Sequence, residues 1–396
     1  MARPRRSAAA LDYLVVGSGL TGATLARLLH DAGRRVLVVD RRSHLGGNVH
    51  DHIHPSGISI HTYGPHYFRT SSDRIWSFVR RFADFHPYVA TVQSRVGDEH
   101  VPWPLGASYI AGVVGPGWVP EFTGTPSNFE EAALALMPRL VYEKFVKEYN
   151  EKQWGVPARS LSAELCKRFD VRVDDDPRFT PHARYQGIPV DGYAAMMRRM
   201  LTGIPLHLGV DFLQRRADLP SARTLVFTGP IDEFFAFDLG RLAYRGQRRE
   251  HLYFPDVDLM LPCAQVNNPT HAGGPFLRTL EWKQMMSAEA VACVHGTVIT
   301  RETPHTPSDP SEYEYPFPDA ANAELYARYQ SRSRHFRDVL ICGRLGEYRY
   351  FDMDQAIGRA QMIAERLLEG RPLAEILGSR SVTEEGPSPP LRARVV

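Results

Sequence analysis

The sequence predicts an α/β fold with a nucleotide-binding unit at the front of the chain, a helical region in the middle and an antiparallel sheet beyond it. Three observations carry this. A glycine-rich turn sits between an apolar strand pattern and a helix pattern within residues 13–29. Helical periodicity dominates residues 129–154, and short β-branched runs separated by Pro, Gly and Asn fill residues 245–302.

At the front, the run at residues 13–16 reads as a strand that ends at Gly17. Leu20, Ala23, Leu25, Ala26, Leu28 and Leu29 then make one apolar helix face. Gly17 makes the tight turn, Gly19 lets backbone approach a pyrophosphate, and Gly22 lets helix pack on strand. The helix N-terminus offers free N–H groups and the positive end of its dipole to that pyrophosphate. A second strand at residues 35–39 delivers Asp40, placed to accept hydrogen bonds from a ribose 2′-OH. Strand, turn, helix, strand and acid agree on a dinucleotide site in a Rossmann-like unit. Arg41 follows the acid and Gly46-Gly47-Asn48 follows a few residues on, which resembles the flavoprotein version of this unit. FAD is therefore the expected cofactor, with Gly47 and Asn48 in a second close turn. Arg41 and Arg42 suit an NADP 2′-phosphate or a solvated turn as alternatives, but Asp40 would repel the phosphate.

Further along, Ile75, Trp76, Phe78, Val79 and Phe82 fit a helix over residues 73–85. The Pro and Gly content of residues 101–128 predicts loops. Ser127 with Glu130 three residues on fits an N-cap for the helical region that follows. Residues 337–341 read as a last strand and 356–368 as a closing helix, with disordered tails at 1–10 and beyond Gly370.

Composition is that of an ordinary globular chain, 43% apolar and 23% charged over 396 residues. The net charge of +2 gives no electrostatic case for nucleic acid or for a charged membrane surface. No apolar run approaches the roughly 20 residues of a membrane span. Cys166, Cys263, Cys293 and Cys342 lie far apart without metal-ligand spacing, and they read as buried free thiols of a cytoplasmic protein. No secretory signal core follows the basic start.

A set of longer segments resembles the UDP-galactopyranose mutase family. They are Ile60-His61-Thr62-Tyr63-Gly64-Pro65-His66-Tyr67-Phe68, Glu151-Lys152-Gln153-Trp154-Gly155, Arg184-Tyr185-Gln186-Gly187-Ile188-Pro189, Thr228-Gly229-Pro230-Ile231-Asp232, and the stretch from Gly343-Arg344 to Asp352-Met353. The resemblance implies a discontinuous FAD domain (11–85, 185–245 and 335–370), a mainly helical domain (86–184) and an antiparallel sheet domain (246–334). It implies redox-neutral interconversion of pyranose and furanose forms of a nucleotide sugar. In that scheme reduced FAD attacks the anomeric carbon through N5, giving a flavin–sugar adduct, and the diphosphate leaves.

The resemblance also implies roles for single residues. Arg168 and Arg278 would grip the diphosphate, as guanidinium forks do. Tyr315 and Tyr350 would hydrogen-bond it. Tyr149, Trp154 and Asn267 would line the nucleotide and sugar pocket, with Asp352 beside the sugar. His61 and His66 would lie against the flavin, and Arg245, Arg344 and Met353 would belong to the cofactor side. Each has a plainer reading: a surface ion pair for Arg, packing for the aromatics, a turn at Asn267, a satisfied structural histidine. The chain departs from the family pattern at Phe179, where a substrate-loop tyrosine is expected, and at Arg69, Asp354 and Trp282, where histidines are common. These departures leave sugar and base open, with UDP-galactose or a related nucleotide hexose as substrate. A homodimer stays open. The rival readings are an amine-oxidase-type FAD oxidoreductase and a flavin-binding protein without catalysis.

Overall fold

The computed structural model describes residues 11–115, 117–169 and 171–378, without the side chain of Arg168. The tails expected at 1–10 and 379–396 lie outside the described residues. Residues 371–378 do not match the expected tail: a short helix, Leu373–Ile376, buries Ile376 in the core.

A five-stranded parallel sheet organises the cofactor end. Its order is Leu206–Leu208, Val36–Asp40, Leu11–Val16, Ala222–Phe227, Val339–Ile341. Val15, Val38, Val226 and Leu340 face one apolar layer, and Leu14, Val39, Phe227 and Ile341 face another. Burial on both faces explains why these strands read as continuous apolar runs. Helices Leu20–Asp31 and Met353–Leu368 pack together on the first face through Ala23, Ala26, Ile357 and Ala360. Small residues allow that close approach.

A seven-stranded sheet forms the second layer, in the order Tyr315–Pro316, Tyr244–Phe254, Thr297–His305, Arg278–Glu281, Gln265–Asn267, Val92–Val96, Glu99–Trp103. All its pairs are antiparallel except the one between Gln265–Asn267 and Val92–Val96. The last two strands fall in the stretch expected to be mainly helical. Each alternates buried and exposed positions too briefly to be told from loop. A three-stranded sheet joins Phe68–Thr70, Tyr185–Pro189 and Phe85–Pro87, so the helix expected over 73–85 stops at Val79.

The helical layer is broken where sequence periodicity suggested continuity. Helix Phe129–Leu136 ends before Pro138, which holds Met137 extended and opens the segment Arg139–Val141. The chain then widens into π-helical turns at Tyr142–Lys147 before helix Glu148–Trp154. The N-cap lies one residue later than expected. Asn128 Oδ1 accepts the Glu131 N–H at 3.1 Å, while Ser127 donates its N–H and hydroxyl to Glu131 Oε2. Of the cysteines, Cys166, Cys263 and Cys342 are buried, but Cys293 is exposed, contrary to expectation.

The cap assignment has a direct consequence. Asn128→Ala should lower stability in urea by about 1 kcal/mol, the usual cost of losing an N-cap side chain. Ser127→Ala should cost less, and the reverse ranking would restore Ser127 as the cap.

Candidate functional site

The glycine turn forms the floor of an elongated cleft at the carboxyl end of the parallel sheet. Gly17 has φ +104°, and a Cβ there would stand 2.1 Å from Thr228 Oγ1. A Cβ on Gly22 would stand 2.0 Å from Gly17 O. The second turn meets the first: Gly46 N–H donates to Ser18 O at 3.1 Å, and a Cβ on Gly47 (φ +56°) would lie 2.8 Å from Gly19 Cα. Gly22 and Gly47 are needed for backbone contact, and Gly17 for its positive φ and for the approach of Thr228. Gly19 differs, since a Cβ there would meet protein only at 3.7 Å. Its bareness serves the ligand side. The first helical bond runs from Ala23 N–H to Gly19 O, so the amides before it are available to an anion.

Asp40 lines the cleft, with part of its carboxylate already occupied. Oδ2 accepts the N–H and hydroxyl of Ser18, both at 2.7 Å, and Oδ1 accepts the Arg42 N–H at 2.9 Å. A carboxylate has about four acceptor positions, so capacity for a ribose hydroxyl remains. Arg41 also lines the cleft but spends its fork on Glu233, at 2.9 and 2.6 Å. Asn48, Arg344 and Met353 line it as expected. Arg42, read as an alternative or a solvated turn residue, is fixed by Asn48 Oδ1 at 2.9 Å and Ser311 O at 3.0 Å.

The loop between the cleft and the antiparallel sheet carries both histidines. His61 Nδ1 accepts the His66 N–H at 3.0 Å, and burial pushes the ring down to about 4. His66 lines the cleft, and its carbonyl is held by the Tyr193 hydroxyl at 3.0 Å. Burial, with the nearby His61 and Arg344, holds His66 well below the ordinary imidazole value. Both rings are therefore neutral at pH 7. The buried Nδ1 of His66 has no hydrogen-bond partner among the described residues.

On the other side of this loop lies a buried row of charge. Arg278 Nε donates to Glu302 Oε2, Arg249 Nε donates to Glu302 Oε1 at 2.8 Å, and the Arg249 fork takes both oxygens of Glu314 at 2.9 and 2.8 Å. Burial opposes the charge on Arg278, but Glu302 outweighs it and holds the guanidinium above its ordinary value. Tyr315 and Tyr149 stand beside Arg278. Gly64 seats the loop against this row, since a Cβ there would lie 2.8 Å from Glu302 Oε1.

An aromatic wall connects the row to the cleft. Tyr315 stacks on Tyr350 with centroids 6.1 Å apart, and the Arg344 guanidinium lies 4.8 Å over the Tyr350 ring. The Tyr350 hydroxyl donates to Asp352 Oδ1 at 3.0 Å, and Arg69 holds Asp352 Oδ2 at 3.0 Å. Arg69 also lies 5.9 Å over the ring of Phe179. Asp352 additionally caps helix Met353–Leu368. Asn267 lies in a strand and not in a turn, buried with its Oδ1 accepting Gln265 Nε2 at 2.9 Å.

Two expected residues sit elsewhere. Arg245 is not among the cleft residues: its Nε donates to Gln153 O at 2.7 Å and its Nη1 to Thr306 Oγ1 at 2.5 Å. It caps the end of helix Glu148–Trp154 and meets no carboxylate there. Trp154 is 5% exposed and packs edge-on to Phe317 inside the helical core, the plainer reading of that residue. The side chain of Arg168 lies outside the described residues. Sequence reasoning missed Arg249, Glu302 and Lys152. Lys152 is buried, and its ammonium donates to the carbonyls of Asn268, Thr270, Gly274 and Phe276. Burial pushes it down to about 8.

A family model for UDP-galactopyranose mutase matches residues 144–350, and one for an NAD(P)-binding Rossmann-like domain matches 15–82. The chain is 31% identical over 375 residues to a probable UDP-galactopyranose mutase of Klebsiella pneumoniae, covering 90% of this chain and 94% of that protein. The chain belongs to the UDP-galactopyranose mutase family. The family is one of isomerases, so the chain falls among enzymes, as its sequence implies. Within reach of the family lies a dTDP-fucopyranose mutase of Escherichia coli, 29% identical over 370 residues, covering 88% of this chain and 96% of that protein. A crystal structure of reduced UDP-galactopyranose mutase shares the family fold, with a TM-score of 0.72 at 15% identity over 93% of this chain and 97% of that one. Among the described residues no helix is long and apolar enough to cross a membrane.

The charged row is testable by itself. Glu302→Ala should destabilise the protein by about 3–5 kcal/mol, because two buried guanidiniums lose a shared counter-charge. Burial raises the Glu302 pKa, but Arg278 and Arg249 pull it below the ordinary 4.5. Its contribution is therefore full above pH 4.5 and is lost as pH falls through the lower folded-state value. Urea titrations of wild type and variant should converge in acid; parallel curves down to pH 3 would remove Glu302 from that role.

Proposed function

We propose that this protein is a mutase interconverting the pyranose and furanose forms of a nucleotide-linked hexose, with reduced FAD as its cofactor. The observation that carries this is the placement of Arg278, charged and buried, beside Tyr315 and Tyr149 and across one loop from the dinucleotide cleft. A departing diphosphate needs a buried cation of this kind. The relatives named for UDP-galactopyranose and dTDP-fucopyranose are almost equally similar, which supports a nucleotide hexose without choosing between them.

The residues present fit FAD. Gly19 leaves its ligand side bare, Asp40 keeps acceptor capacity, and His66 lines this cleft. Asp40 would hold the ribose, the Gly17–Gly22 and Gly46–Gly47 turns the pyrophosphate, and Arg344, Met353 and His66 the ring end. When bound and reduced, the flavin supplies a nucleophilic nitrogen and returns unchanged in oxidation state.

The chain's own residues account for the rest. Arg278 and Arg168 bind the diphosphate, and Tyr315 and Tyr350 orient it by hydrogen bonds. Glu302 and Arg249 keep Arg278 from swinging away when no substrate is bound. Asp352, held by Arg69 and Tyr350, accepts from sugar hydroxyls. Tyr149 and Asn267 complete the pocket. His61 and His66, both neutral, keep added positive charge off the ring end of the cleft. Phe179 closes the Arg69 side by packing alone.

The deciding experiment reduces the flavin anaerobically with dithionite and offers UDP-, dTDP- and GDP-hexoses. Furanose product formed only by reduced protein supports the proposal; oxidation of substrate by the oxidised protein would replace it with the oxidoreductase reading. Arg278→Ala should keep its FAD and lose at least about 100-fold in kcat/KM, the scale of about 2.7 kcal/mol for a buried cation. Wild-type turnover in that variant would remove Arg278 from the chemistry. Phe179→Tyr should tighten nucleotide-sugar binding by about tenfold, through one hydrogen bond to a charged oxygen. Unchanged affinity would mean that this side of the pocket does not meet the diphosphate.

A further inference from the structure

Asn267 lies opposite Arg278, and Arg278 opposite Glu302, on neighbouring antiparallel strands. Directly opposed side chains share a face of a sheet, so Asn267 stands beside Arg278 on the substrate side. Gln265, two residues earlier on the same strand, is on that face too. It is buried and spends both ends of its amide. Nε2 donates to Asn267 Oδ1 at 2.9 Å, and Oε1 accepts from the Tyr67 hydroxyl at 3.1 Å. Tyr67 ends the loop that carries the two histidines, and its ring stacks on Tyr88 with centroids 5.5 Å apart.

The ends of this relay fix its direction. No other described residue accepts from the Tyr67 hydroxyl, so its proton points at Gln265 Oε1. Burial, with Tyr88 alongside, holds the phenol well above its ordinary value against the pull of Arg278, and the proton stays. With its oxygen taken, the Gln265 amide has only N–H groups to offer Asn267, and it occupies the Asn267 oxygen. What Asn267 has left is Nδ2, which can only donate. No described residue accepts from that nitrogen, and it is not among the buried atoms closed off without a partner. A donor on a 6% exposed side chain is thus open to a ligand beside a buried guanidinium.

We propose that Gln265 and Tyr67 are positioning residues of the substrate side: they hold the Asn267 amide nitrogen-first, so that this point takes an acceptor oxygen of the nucleotide sugar. The inference rests on the mutase reading in one respect, that Arg278 meets the diphosphate of the same ligand. Without Gln265, or without the hydroxyl that orients Gln265, the Asn267 amide is free to turn. A turned amide loses its hydrogen bond and sets one oxygen against another.

Calorimetric titration of the FAD-loaded chain with UDP, dTDP, UDP-galactose and dTDP-fucose tests it. The proteins compared are wild type, Gln265→Leu, Tyr67→Phe, Asn267→Ala and the double variant Gln265→Leu with Asn267→Ala. Gln265→Leu should weaken binding about tenfold and Tyr67→Phe at least about threefold, with FAD content unchanged. In the Asn267→Ala background, Gln265→Leu should change affinity by less than about twofold, because no amide remains to be directed. A residue that merely packs would cost the same in both backgrounds, and that result overturns the proposal. Unchanged or tighter binding in Gln265→Leu overturns it as well. Tyr67→Phe keeps the ring and its stacking, so it decides the matter if Gln265→Leu loses its FAD: weakened binding supports the proposal and wild-type affinity ends it. Weakening seen with the free diphosphates places the acceptor oxygen on the nucleotide, and weakening confined to the sugar-linked ligands places it on the hexose; both support the proposal. Furanose formation is scored separately in wild type. Turnover there, with unchanged affinity in both variants, removes this inference and leaves the mutase, whereas a wild type that binds none of the four ligands removes both.

Discussion

Glu302 is a fully buried carboxylate that two arginines share, and the arrangement of the charged row and the tyrosines beside it depends on it. It lies on the central strand Thr297–His305, whose neighbours bring Arg249 on one side and Arg278 on the other. Arg249 passes the interaction on to Glu314, next to Tyr315. Four side chains from separate stretches of sequence are thereby held in one alternating line. Alternation is what makes the burial tolerable: each charge has an opposite partner, and the fork geometry of arginine satisfies both carboxylate oxygens. Were the line interrupted, an isolated cation would remain in a dry wall. The loop at Gly64 closes on this line without a side chain, so the histidine segment inherits its position from the same contact.

A second clamp works by a different means. Lys152 offers one ammonium to the carbonyls of Asn268, Thr270, Gly274 and Phe276. It ties helix Glu148–Trp154, which carries Tyr149, to the hairpin that carries Asn267 and Arg278. Burial outweighs the opposing pull of the Glu148 carboxylate, so the lysine holds its proton less firmly than usual. Rigid carbonyls replace the water the ammonium has lost.

The cofactor end was legible in the sequence because its constraints are local. Gly22 is dictated by backbone five residues away, Gly47 by the adjoining turn and Gly17 by its own φ of +104°, and Asp40 by the length of one strand. The rest of the candidate site was legible only through resemblance, and two of the residues expected there, Arg245 on the cofactor side and Trp154 in the pocket, lie away from the cleft. Arg245 and Arg249 are four residues apart on one strand and face the same way. What separates them is which one meets Glu302, more than 50 residues later, and no local pattern records that. Trp154 illustrates the same gap: an aromatic residue at the end of an amphipathic helix suits a pocket or a core equally well until its neighbour Phe317 is known. The strands at 92–103 were hidden because the strand that joins their hairpin to the sheet, Gln265–Asn267, is remote and very short. The N-cap differed by one residue because Ser127 and Asn128 both suit the position, and only geometry assigns Asn128 the bond.

The order of the parallel sheet has an implication for how the protein is made. Its strands are drawn from residues 11–16, 36–40, 206–208, 222–227 and 339–341. The wall of the cleft is finished only by Gly343, Arg344 and Met353. On a ribosome, the first glycine turn emerges more than 300 residues before the far side of the groove it floors, which waits for residues 343–353. Until those residues follow, the nascent chain holds an open half-site.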